Sequence, residues 1–156
     1  MCDYCGCRTQ PSIAQLSEEH DRIERIARDL RDAHTRGDRS GAATIATDLL
    51  ASLVPHVARE ERALFPELTV AGAPAQVQRL EDEHEQLELA LRPVAAGAAS
   101  ASQWTAIPRA LDGLRHHIWT EEFDVFPAAL QLLDPHAWQR IEDGFDRSTV
   151  PLPAQH

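Results

Sequence analysis

The sequence predicts an all-α protein, an antiparallel up-down-up-down four-helix bundle with a short C-terminal helix. Four long segments carry apolar residues at alternating spacings of three and four, the pattern of a helix with one buried face. No segment alternates apolar and polar residues with period two, so strands are not expected. Glycine and proline separate these segments by short connections, which favours antiparallel neighbours.

Residues that start or stop helices set the predicted boundaries. The first helix is expected from Ser12, where Ser12 and Gln15 resemble a capping box, to about His34, before Gly37. An Ala/Gly/Ser-rich stretch over 95–102 is expected to be a loop. The other predicted helices cover about 40–68, with prolines at 55 and 66, then 74–91, 102–129 and 135–145.

The length of 156 residues predicts one domain with a core of its own. Residues 1–11 are expected to form a Cys-rich leader, 12–130 the helical bundle, and 131–156 a short C-terminal helix and tail.

Composition excludes several classes of function. The net charge is −10, from 25 acidic and 15 basic residues, and every basic residue is arginine. An acidic chain argues against nucleic-acid and anionic-membrane partners, and the absence of lysine excludes Schiff-base and P-loop chemistry. No apolar run approaches 18 residues and the N-terminus lacks a secretory pattern, so we expect no membrane partner. Three cysteines within the first seven residues make a poor disulfide framework, so we expect a reducing, cytoplasmic location.

A histidine interrupts the apolar stripe of each long helix, where an aliphatic residue would be expected. In two of the stripes a glutamate follows four residues later, on the same helix face. Buried glutamates are costly unless they are paired or bind a metal, and histidine is a common metal ligand. In antiparallel topology all these side chains lie at one level of the bundle. The candidate ligands are His20, His56, Glu60, His84, His117 and Glu121.

An internal repeat supports this interpretation. The block from His56 to Pro66 and the block from His117 to Pro127 share the pattern HxxxEExxxFP, 61 residues apart. The segments around His20 and His84, SEEHDRIE and EDEHEQLE, also match. The chain is therefore expected to be two helical hairpins related by a pseudo-twofold axis, a symmetry suited to two metals.

These paired blocks resemble the hemerythrin-like, or HHE cation-binding, domain over roughly residues 12–130. The resemblance implies a four-helix bundle with two iron ions, an oxo- or hydroxo-bridged di-iron centre in which Glu60 and Glu121 are bridging carboxylates. The oxygen carriers of the family have a second histidine where this chain has Glu88, and a last carboxylate five residues after its histidine, where it has Glu122. Glu24 and Glu88 could add ligands, or solvent could take their places. Fewer protein ligands favour reactivity over reversible oxygen carriage.

The expected function is a reaction with a small diatomic or peroxide ligand: hydrogen peroxide in a catalase-like reaction, dioxygen or nitric oxide. Two alternatives remain open from sequence. One is a non-catalytic oxygen or nitric-oxide binding, sensing or iron-storage protein. The other is a structural bundle stabilised by zinc or manganese, since the same ligands bind these metals. An electron-donor protein is a possible partner, and nothing in the sequence marks a pocket for a larger substrate.

Other residues have simpler expected roles. Glu61 and Glu122, about 100° from the buried stripe, should form a solvated face or support the ligands. The aromatic residues Phe65, Phe126, Trp119 and Phe123 should pack in the core or as a cap on it, and they could also wall the site from water. Cys2, Cys5 and Cys7 form either a reducing tail without a partner or a thiol cluster for a metal or electrons. The remaining histidines, His34, His116, His136 and His156, are expected outside the site.

Overall fold

The computed structural model describes residues 9–148 of the chain. Within this range every regular element is helical, and two of the long helices contain a five-residue π-helical turn. The elements are α1 (Pro11–Thr35), α2 (Arg39–Arg59), π1 (Glu60–Leu64), α3 (Phe65–Val70), α4 (Pro74–Ala95), α5 (Ala101–Thr120), π2 (Glu121–Val125), α6 (Phe126–Leu132) and α7 (Pro135–Ser148).

Four of these helices form the bundle in a closed ring. Helix α1 packs on α2, α2 on α4, α4 on α5, and α5 on α1. Each turn π1 or π2 continues its helix without a break into α3 or α6. This confirms the predicted all-α bundle with a short C-terminal helix.

The helix starts differ from the prediction at α1. This helix begins at Pro11, which lacks the N–H that a helix start leaves unpaired, and Gln10 precedes it without a side-chain cap. The expected capping box at Ser12 is wrong: its hydroxyl is buried without a partner, and Gln15 donates to Glu19 instead. A reciprocal capping box occurs at α5, between Ser100 and Gln103.

Three connections contain a glycine with positive φ: Gly37, Gly72 and Gly97. Gly37 follows α1 with φ 69°, and Gly97 follows α4 with φ 68°, a conformation that closes a helix and that side chains disfavour. Helix α4 continues through Pro93 to Ala95, four residues beyond the predicted end at Leu91.

The hydrophobic core consists of two clusters rather than one. The first lies beneath α7 and includes Ile13, Phe65 and Phe126 with Trp138 and Ile141 of α7. The second cluster fills the opposite half of the bundle, and its members include Ile23, Leu30, Leu49, Leu91, Ile107 and Leu111. Polar side chains occupy the level between the two clusters, and this interruption is where the candidate site lies.

The continuous helix Arg39–Val70 is long and apolar enough, by length and composition, to cross a membrane, which the sequence did not predict. Core helices of globular bundles meet the same criterion, and this helix contributes Leu49, Leu53 and Phe65 to the core. That this helix meets the criterion is therefore only weak evidence that it spans a membrane.

Candidate metal centre

The structure brings all six predicted ligands into one buried layer. The HxxxE helix of each hairpin supplies one histidine and one glutamate, and α1 and α4 supply one histidine each. All six side chains are at most 7% exposed: His20, His56, Glu60, His84, His117 and Glu121. Carboxylates at zero exposure, such as those of Glu60 and Glu121, are among the most costly groups to bury unless an opposite charge or a metal compensates them.

The six side chains form two groups of donors that could each hold a metal ion. The first group is His20, His56, Glu60 and Glu121, and the second is His84, His117 and the same two glutamates. Both carboxylates therefore belong to both groups, which is the arrangement of ligands that bridge two cations.

Each oxygen of the two carboxylates faces one group. Glu60 Oε1 lies 3.1 Å from His56 Nε2, and its Oε2 lies 3.2 Å from His84 Nε2. Glu121 Oε2 lies 3.0 Å from His20 Nε2, and its Oε1 lies 3.2 Å from His117 Nε2. Donors about 2.0–2.2 Å from one cation are separated by roughly this distance from each other.

Several of these atoms have no aligned hydrogen bond despite the short separations. His20 Nε2 and both carboxylate oxygens of Glu60 and of Glu121 are buried without a partner among the described residues. Buried polar atoms are almost always satisfied in native proteins. A shared cation in each group would satisfy all of them, so the donor set fits a pair of metal ions.

In each of the four histidines of the site, the ring nitrogen that faces away from the donor groups, Nδ1, contacts a further carboxylate. The Nδ1 atoms of His20 and His84 lie 2.7 Å and 2.9 Å from carboxylate oxygens of Glu122 and Glu61. An N–H at Nδ1 donating to a carboxylate leaves Nε2 as the lone-pair atom that a metal requires. Here Glu61 and Glu122 support the histidines, one of the two roles expected for them.

The remaining two contacts involve residues that sequence reasoning missed. His56 Nδ1 lies 2.8 Å from Glu19, and His117 Nδ1 lies 2.7 Å from Glu83. The signal was present, because a glutamate immediately precedes both His20 and His84 in the repeat. In each of these Glu-His dipeptides, the histidine is a candidate ligand and the glutamate contacts a histidine of the neighbouring helix.

The two halves of the site differ in the environment of these outer carboxylates. Glu19 and Glu122 have side chains 10% and 14% exposed, and they bond also to Arg59 and Ser17. The side chains of Glu61 and Glu83 are 36% and 35% exposed. The half built on His84 and His117 is therefore nearer to solvent.

Phenylalanines of the repeated FP pairs pack on the site, as expected. Phe126 stacks on His20 with ring centroids 5.7 Å apart, and Phe65 stacks on His84 at 5.9 Å. Core packing is wrong for Trp119 and Phe123: they are 53% and 40% exposed. They lie two residues after His117 and Glu121, which places them on the outer face of the helix.

The π-helical turns explain how these phenylalanines reach the core. Phe126 lies nine residues after His117, and in an uninterrupted α-helix it would point about 180° away from that histidine. The π turn accommodates one extra residue, with the N–H of Phe126 bonded to the carbonyl of Glu121, and brings the ring back by about 100°. Phe65 follows His56 at the same interval through π1.

The carboxylates determine the protonation of the histidines in the metal-free chain. Burial alone would lower the pKa of His56, but the charge of Glu60 and the contact with Glu19 raise it to about 10. The carboxylates of Glu121 and Glu122 outweigh burial and raise the pKa of His20 to about 9. The carboxylate of Glu121 likewise raises the pKa of His117 to about 9, against burial.

Other candidates lie outside the two donor groups. Glu88 bonds to Arg92 on the surface of α4, and Glu24 is half-buried in α1 and belongs to neither group. Among the other histidines, His34 Nε2 lies 2.9 Å from the carbonyl of Trp104, while His116 and His136 are exposed. The cysteine leader at residues 2, 5 and 7, and His156, fall outside the described residues.

Comparison with known proteins identifies one family. The family described as the hemerythrin HHE cation binding domain matches residues 12–129, well over half of the chain. No curated protein and no solved structure matches.

Proposed function

The chain belongs to the hemerythrin HHE cation-binding family, and from that premise we propose that it is a non-haem di-iron protein that reacts with small oxidants, hydrogen peroxide above all. The observation that carries this proposal is the sharing of Glu60 and Glu121 between two donor groups, one oxygen to each group. Di-iron proteins built on four-helix bundles use glutamates and histidines of facing helices in this way.

The residues divide the work of holding the irons. His20 and His56 would be terminal ligands of one iron, and His84 and His117 of the other. The two bridging carboxylates carry two negative charges, which offset part of the metals' positive charge in a buried layer. Each group offers two nitrogen and two oxygen atoms, so positions would remain for a bridging oxo or hydroxo group and for an oxidant.

The bound irons would supply a store of two electrons for the reaction. In peroxide disproportionation, one molecule of hydrogen peroxide is oxidised to dioxygen and a second is reduced to two molecules of water. This chemistry needs no organic substrate and no external reductant. Phe65 and Phe126 cover His84 and His20 from the side of α7 and exclude water there.

Metal analysis, an optical spectrum and an oxygen electrode test the proposal together. We expect two irons per chain, an oxo-to-iron charge-transfer band, and oxygen evolution on addition of hydrogen peroxide. Glu121→Ala should lose most of this activity, while His116→Ala, an exposed neighbour of His117, should retain it.

Each of the other possible functions gives a different result in these measurements. Reversible binding of dioxygen or nitric oxide without peroxide consumption would indicate a carrier or sensor and not a catalyst. A chain that takes up zinc or manganese and excludes iron would contradict the di-iron proposal.

A further inference from the structure

A cleft of about 440 Å³ lies between α4 and α5 and reaches the metal layer. Its inner end is formed by His84 and His117, on the half of the site nearer to solvent. A water-sized molecule occupies about 30 Å³, whereas pockets for small organic ligands span roughly 300–1,000 Å³. The cleft is thus far larger than a diatomic or a peroxide needs.

The walls of the cleft are mostly aliphatic. Leu53, Leu87, Leu114 and Ile118 line it between the helices, and His117 and Ala106 mark its extent along α5. Eleven residues of α5 correspond to about 16 Å. The cleft therefore has the shape and surface for one extended hydrocarbon chain.

The outer part of the cleft carries a positive charge. Glu83 lies beside the histidines at the inner end, and eight residues before His117 the exposed Arg109 lines the outer part. No carboxylate pairs with Arg109 within the described range 9–148. An anionic group would be favoured at Arg109.

Gly113 lines the cleft without filling it. It lies inside α5, where glycine is unfavourable, and its φ does not require glycine. A Cβ built there would meet no atom within 4 Å, so no close helix contact explains the residue either. A side chain at this position would instead extend into the space beside the cleft that Gly113 lines.

We propose that this cleft binds a medium-chain fatty acid, with the hydrocarbon chain between α4 and α5 and the carboxylate at Arg109. The inference goes beyond the reaction with small oxidants, since it concerns a second ligand and needs no metal for binding. The end of a bound chain would lie against His84 and His117 and shield that half of the centre.

Calorimetric titration with decanoate tests the proposal on two samples of the full chain, one loaded with metal and one after chelation. Decanoate should bind saturably in both states, while acetate and decyltrimethylammonium, which lack the chain or the negative charge, should bind at least about tenfold more weakly. Gly113→Leu and Arg109→Gln should each weaken decanoate binding by about tenfold or more.

Two variants provide matched controls on the same helix. Arg115→Gln removes an arginine that lines other surfaces, and Thr105→Leu adds a leucine outside the cleft, so both should bind decanoate as the unmodified chain does. Absence of decanoate binding, or equal affinity in all four variants, would overturn the proposal. Metal content and peroxide turnover are measured separately, so either proposal can fail while the other stands.

Discussion

At the level of single residues, every candidate histidine ligand is fixed by a carboxylate on another helix. His117 on α5 is oriented by Glu83 on α4, and His84 on α4 by Glu61 on π1. The dipeptides that join a glutamate to a ligand therefore link adjacent helices through the site. Sequence spacing predicted the six inner residues, because they interrupt apolar stripes. It missed Glu19 and Glu83, because these glutamates contact histidines on other helices, and such contacts produce no periodic pattern within one helix.

Glu83→Gln tests whether the outer carboxylates tune the ligands. Glu83 contacts His117 Nδ1 at 2.7 Å and is 35% exposed, so the variant should fold. Loss of the charge should weaken metal binding by about 10- to 100-fold. Competition with a chelator measures this affinity, with Glu85→Gln, an exposed neighbour on the same helix, as the control. Equal affinities for both variants would contradict the role of Glu83.

The raised pKa values predict how the metal-free chain responds to pH. His20, His56 and His117 have pKa values of about 9 to 10 in the fold, above the ordinary value of 6.5. Their stabilising contribution is complete below about pH 6.5 and is lost as pH rises through 9 to 10. The melting temperature of chelated protein should therefore fall between pH 7 and pH 10.

Thermal melting in chelator across that range measures this effect. The metal-loaded protein should change less, because metal-bound imidazoles carry no titrating proton at Nε2. His116→Ala, which removes an exposed histidine, should show the profile of the unmodified chain. A flat melting temperature for the chelated protein would contradict the protonation argued for these histidines.

At the level of elements, the two π turns set the helical register on either side of the site. The helices themselves could be predicted from apolar spacing and from glycine and proline. The turns could not, because HxxxE and FP each read as ordinary helix, and only the packing of Phe65 and Phe126 reveals the extra residue. The false capping box at Ser12 has a similar origin, since Pro11 begins the helix one residue earlier.

Deleting one exposed residue from π2 tests this register argument. Removal of Asp124 should convert the turn to regular α-helix while Phe126 keeps its direction, so the protein should still bind two metals per chain. Removal of the exposed Asp112 from α5 should rotate the residues that follow it by about 100° and abolish metal binding. Circular dichroism and metal analysis compare the two. Loss of metal in the Asp124 deletion would show that the widened turn itself is required.

At the level of the whole molecule, a polar layer divides the core, and the fold accommodates it by symmetry. Each hairpin contributes one glutamate and two histidines, so the charges of the two halves match around a pseudo-twofold axis. The duplication in sequence predicted this arrangement. The cleft between α4 and α5 breaks the symmetry and was not predicted, because small residues facing a gap look the same in sequence as small residues in a close helix contact.

Metal removal should destabilise the whole bundle. A metal at 100 times its dissociation constant stabilises the folded state by about 2.7 kcal/mol. For a chain of this size that corresponds to a melting temperature higher by roughly 5–10 °C. Calorimetry of loaded and chelated protein at neutral pH measures the difference. Identical melting curves would contradict a metal in the core.

Metal stoichiometry in the unmodified chain, in Glu60→Ala and in Glu61→Ala tests most directly whether Glu60 and Glu121 bridge a pair of irons. Glu60 has both oxygens buried without a hydrogen bond and belongs to both donor groups, whereas Glu61 contacts only an outer ring nitrogen. We expect two irons per chain in the unmodified protein, at most one in Glu60→Ala, and two, held more weakly, in Glu61→Ala. Two tightly bound irons in Glu60→Ala, or none in the unmodified chain after iron loading, would contradict the bridging role.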